Sequence, residues 1–78
     1  QFMWQLAYAL GQEERDKEAQ HFYQLAYESM RDNVDFLKDY YYYLIEIGQI
    51  ELAKSILQLL LQKDSGNPEW DAEQGRLQ

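Results

Sequence analysis

Apolar side chains recur along the chain with helical spacing in four successive segments. Met3, Leu6, Ala7 and Leu10 keep the three-four-three step of one helix face. Ala19, Phe22, Tyr23, Ala26 and Met30 do the same, as do Phe36, Leu37, Tyr40, Tyr41 and Leu44. Ile50, Ala53, Ile56, Leu57, Leu60 and Leu61 mark the fourth. Polar clusters at 11–16, 31–33, 48–49 and 64–68 separate segments of roughly 11 to 16 residues rich in helix formers. Asp16 and Asn33 stand where a side-chain oxygen caps the amides that open a helix. Asn67 followed by Pro68 reads as a cap with proline in the first helical position. Nothing alternates with period two, so the pattern predicts an all-α chain of five helices, the last one short.

The chain also repeats itself. Displaced by 34 positions, Phe2 meets Phe36, Tyr8 meets Tyr42, Leu10 meets Leu44 and Ala19 meets Ala53. Gln24 meets Gln58, Leu25 meets Leu59 and Asn33 meets Asn67. These are seven identities in one repeat, where chance supplies about two or three. The echo runs on, with Asp35 meeting Glu69 and Phe36 meeting Trp70. A fixed period of this length marks stacked units, each unable to bury its apolar face alone.

With its large and small residues in these places, the chain resembles the tetratricopeptide repeat, a 34-residue helix pair. The first unit meets the pattern with Met3, Leu6, Ala7, Leu10, Ala19, Tyr23 and Ala26. The second meets it with Leu37, Tyr40, Leu44, Gly48, Ala53, Leu57 and Leu60. The resemblance implies helix-turn-helix repeats stacked as a right-handed superhelical array. The expected division is unit one over 1–33, unit two over 34–67 and the start of a third unit or a capping helix over 68–78. Ala19 and Ala53 fall where the two helices of a pair cross, and a small side chain there lets the backbones approach. Three places depart from the pattern. Tyr41 stands where a small residue is usual, Glu14 where glycine is favoured, and Arg31 and Ser65 where a closing proline is. A non-repetitive antiparallel bundle is the competing fold, but it needs no 34-residue echo.

Composition narrows the function classes. Among 78 residues, 46% are hydrophobic and 15% aromatic, enough apolar material for a folded chain. No cysteine is present, so disulfides and thiolate metal sites are excluded. The apolar run from Ile56 to Leu61 is far shorter than the roughly 20 residues of a membrane span. No signal-peptide pattern appears, and together with the missing cysteines this points to a cytoplasmic setting. Beginning with Gln, the sequence reads as a piece of something longer. A net charge of -7 sets aside nucleic acid and anionic membrane surfaces as partners, because both need clustered Lys and Arg.

Candidates for catalysis are few. Glu14, Glu18 and His21 have the spacing of one helix face, but a carboxylate-bridged metal centre needs a second His step, and this is the only His. A solvated polar face explains them. No serine has a His partner in motif spacing and no phosphate-binding glycine loop exists. We expect no enzymatic activity, no cofactor and no metal.

The run Tyr40 to Tyr43 sends four rings around the whole circumference of a helix, at about 100° intervals. Tyr40 and Tyr41 turn inward with Leu37 and Leu44, and Tyr42 faces away from the paired helix. In tetratricopeptide arrays the first helices line a concave groove that often binds peptides. The resemblance therefore implies partner contacts from Trp4, Tyr8 and Gln12 in unit one and from Lys38, Tyr42, Ile45 and Glu46 in unit two. The competing reading buries Trp4 and Tyr8 against a neighbouring repeat. Some relatives clamp the carboxylate end of a heat-shock chaperone tail with Lys and Asn. Lys38 matches one such place, but Tyr8 and Tyr42 replace the Asn residues, so that partner is rejected. A protein or peptide of apolar or basic character fits better. Tyr42→Ala is expected to weaken binding with little effect on stability. Two further roles stay open: a ligand-sensing or regulatory repeat domain of a larger regulator or enzyme, and a self-association module forming a homo-oligomer through exposed repeat ends.

Overall fold

The computed structural model describes residues 2–77. Among these are five α-helices and no strand: α1 (Phe2–Gln12), α2 (Asp16–Met30), α3 (Val34–Glu46), α4 (Ile50–Lys63) and α5 (Pro68–Leu77). Two compact units form, Gln1–Arg31 and Asp32–Gln78. Helices this short are marginal alone in water, so packing of their apolar faces must hold them.

In the first unit α1 packs on α2. Ala7 and Leu10 from α1 and Ala19, Tyr23 and Ala26 from α2 are buried. In the second, α4 packs on both α3 and α5. Leu37, Tyr40 and Leu44 of α3, Ala53, Ile56, Leu57 and Leu60 of α4, and Trp70 of α5 are buried. Removing each of these Leu or Ile side chains from water contributes about 1.5–3 kcal/mol.

The 34-residue echo extends to the backbone of the two hairpin turns. The Arg15 amide donates to the Leu10 carbonyl at 3.0 Å, and the Gln49 amide to the Leu44 carbonyl at 2.9 Å. Glu14 donates to Gly11 and Gly48 to Ile45, both at 3.1 Å. Gly48 is left-handed, with φ of 82°, as a helix-ending glycine should be. Glu14 adopts the same conformation, with φ of 62°, without the freedom of glycine.

Two of the three expected caps form. The Asn33 side-chain oxygen accepts from the Phe36 amide at 3.1 Å, and that of Asn67 from the Glu69 amide at 2.9 Å. Asp16 does not cap α2. The cap position is Arg15, which makes no side-chain capping bond, and Asp16 is already the first helical residue. There its charge still favours the amide end of the helix. The three residues at the repeat's aromatic point differ in burial: Phe36 is 0% exposed and Trp70 1%, while Phe2 is 71% exposed.

Candidate functional site

Trp4, Tyr8 and Gln12 stand four residues apart on α1, so they share one helix face. Trp4 is half-buried, Tyr8 is 52% exposed and Gln12 is exposed. No residue of α1 is charged, so this face is apolar and amide in character throughout.

Lys38, Tyr42, Ile45 and Glu46 form the corresponding row on α3. Lys38 and Glu46 are exposed; Tyr42 and Ile45 are half-buried. Tyr42 is tied to α5, which the sequence pattern does not reveal. Its hydroxyl donates to Glu69 Oε2 at 2.5 Å, and its ring lies 6.1 Å from that of Trp70. Lys38 Nζ stands 3.7 Å from Glu69 Oε1. Tyr42→Ala would therefore remove ring and hydroxyl contacts to α5, and it is not the clean surface change expected from the repeat register.

Tyr41 is buried as expected, and its hydroxyl and ring reach across to α5. Its ring meets Trp70 edge-on at 6.1 Å, and its hydroxyl donates to Glu73 Oε1 at 2.8 Å. Arg76 donates to the same oxygen at 2.6 Å. Burial, then the Glu73 carboxylate, pushes the Tyr41 hydroxyl up to about 12. The Tyr42 hydroxyl rises further, through burial first and then its bond to Glu69.

Asp64 secures the other end of α5. Its Oδ2 accepts from Asn67 Nδ2 and from Trp70 Nε1, both at 2.8 Å. These bonds, Asn67 first, hold its carboxyl below the usual aspartate range. Glu69, Glu73, Asp64 and Arg76 thus belong to the surroundings of the α3 row. In the sequence Glu69 stands out only as the echo of Asp35 and Asp64 only within the polar cluster 64–68, while Glu73 follows Glu69 by one four-residue step.

The Glu14, Glu18 and His21 trio is not assembled on one helix. Glu14 lies in the turn before α2. Glu18 is held by Arg15, whose Nε and terminal nitrogen donate to its two oxygens at 2.9 Å each. His21 is exposed, edge-on to Phe22 at 5.3 Å. Among the described residues no group of three or more His, Cys, Asp or Glu could hold a metal ion. No described helix is long and apolar enough to cross a membrane.

Residues 1–67 match the family described as YpiA-like, C-terminal tetratricopeptide repeats. No curated protein and no solved structure matches the chain.

Proposed function

Since the chain belongs to the YpiA-like C-terminal tetratricopeptide repeats, whose kind generally serves as a protein–protein interaction scaffold, we propose that it binds another polypeptide through the first-helix faces of its units. Trp4, Tyr8 and Gln12 supply the contacts in unit one, and Lys38, Tyr42, Ile45 and Glu46 those in unit two. The role is non-catalytic, as is typical of these repeats.

The exposure of Tyr8 carries this reading. A large ring left half in water on a charge-free helix, one turn from Trp4, is the kind of side chain that anchors interfaces. It buries much area on contact and loses few rotamers in doing so. The partner is an extended segment or an amphipathic helix, since both lay side chains along a helical face at regular intervals.

The test is a peptide-display selection on the intact chain, followed by affinity measurement with the Tyr8→Ala variant. Peptides should be enriched, and Tyr8→Ala should weaken their binding at least about tenfold, the size of an anchor residue's contribution. Its thermal unfolding should stay unchanged. Enriched peptides that bind wild type and Tyr8→Ala equally would exclude this face.

A further inference from the structure

Two tyrosine–glutamate pairs stand next to each other where α3 meets α5, and they are built alike but filled differently. In the first, Glu73 accepts from the Tyr41 hydroxyl at 2.8 Å and from the Arg76 guanidinium at 2.6 Å. Its side chain is only 14% exposed. In the second, Glu69 accepts from the Tyr42 hydroxyl at 2.5 Å, but its cation is Lys38 at 3.7 Å. That separation is an ion pair without a good hydrogen bond. The Glu69 side chain is 35% exposed and that of Lys38 51%, so the pair is open to solvent and weakly held.

We propose that the Tyr42–Glu69 pair is a seat for an arginine presented by the bound polypeptide, which takes the place at Glu69 that Arg76 takes at Glu73. The inference rests on the partner-binding reading and adds the partner's chemistry: an arginine beside an apolar residue that covers Ile45. A carboxylate offers about four lone-pair sites, so Glu69 can keep the Tyr42 hydroxyl and still accept a guanidinium. Arginine's planar fork suits that place better than the point charge of lysine. The Tyr42 ring, packed with Tyr41 and Trp70 but still half-exposed, adds attraction for a nearby guanidinium. This chain already uses such a contact, with Arg31 placed 5.2 Å over the ring of Tyr27. The net charge of -7 favours the approach of a basic segment.

The experiment titrates the full chain with N-acetyl-arginine amide and, separately, N-acetyl-lysine amide, following backbone and side-chain NMR shifts. Dose-dependent shifts centred on Tyr42, Ile45 and Glu69 are expected with the arginine probe, with weaker shifts from the lysine probe. Glu69→Gln, of nearly the same shape, should abolish them while helical circular dichroism is retained. Lys38→Ala should tighten arginine binding about two- to fivefold by removing the competing ammonium, the scale of an exposed ion pair. Shifts that persist in Glu69→Gln, or that centre elsewhere, or a Lys38→Ala variant that binds more weakly, would overturn the seat. The selected peptides separate this failure from a wider one. If they still depend on Tyr8 but not on Glu69, only the arginine seat falls; if they ignore both residues, the scaffold reading falls with it.

Discussion

Glu14 and Gly48 occupy the same backbone position 34 residues apart, both left-handed, with φ of 62° and 82°. The turns around them close with the same hydrogen bonds, so the backbone demands this conformation whatever residue supplies it. For a side chain with a Cβ the left-handed region costs about 1–2 kcal/mol, partly offset by the extra freedom glycine has when unfolded. Glu14→Gly should therefore raise stability by about 0.5–1 kcal/mol. Gly48→Ala should lower it by a similar amount, although nothing lies within 4 Å of the added Cβ. Urea midpoints that move in these opposite directions with unchanged slopes would confirm a backbone cause.

Asn33 and Asp16 precede or open helices in similar sequence settings but do different work. Asn33 accepts from the Phe36 amide at its cap position, whereas the cap position before α2 is Arg15 and Asp16 is already helical. Asn33→Ala is expected to cost about 1 kcal/mol. Asn33→Asp should retain most of it, because the carboxylate can accept the same bond. Chemical unfolding of the two variants checks this; equal losses would mean that the cap is not what Asn33 contributes.

The junction of α4 and α5 should respond to acid. Asp64 titrates below the ordinary aspartate range because Asn67 and then Trp70 donate to its charged form. The folded chain therefore takes up this proton less readily than the unfolded one. The stability Asp64 contributes is complete above the ordinary value of about 3.9 and is lost as pH falls through the depressed folded value. In a Trp4→Phe background, Trp70 emission should shift red as α5 loosens below about pH 4. Asp64→Asn should remove that step from the titration, and an unchanged step would assign it to other carboxylates.

Small residues at the helix crossings should resist enlargement. Ala19 and Ala53 are both fully buried. Ala53→Leu forces extra methyl groups into a packed site and should cost about 1–3 kcal/mol. Leu52→Ala, one position away on the exposed side, should cost well under 1 kcal/mol. Thermal unfolding of the pair distinguishes crowding at the crossing from a general sensitivity of α4.

Helix number and most of the buried faces could be read in the sequence because each depends on spacing within one segment, although Ile50, in step with the fourth face, is exposed at the first position of α4. Leu37, Tyr40 and Leu44 are legible as core in this way, and so are Ile56, Leu57 and Leu60. The surroundings of Tyr42 could not be read so. A helical period states the direction in which a ring points, but not what lies across from it. Glu69 comes beside Tyr42 from 27 positions away, through the seating of α5. Asp16 was misplaced for a smaller reason. One residue of difference in where α2 opens moves Asp16 from the cap position into the first turn.

The matching turns at Glu14 and Gly48 make the chain extensible in fixed increments. A second copy of residues 15–48 inserted after Gly48 would present the same turn at each splice, with its hydrogen-bonding partners still in register. An insert that did not end on the same turn would lack that closure. The unit of growth is therefore set from turn to turn, across the back of one hairpin and the front of the next, rather than by the hairpin itself.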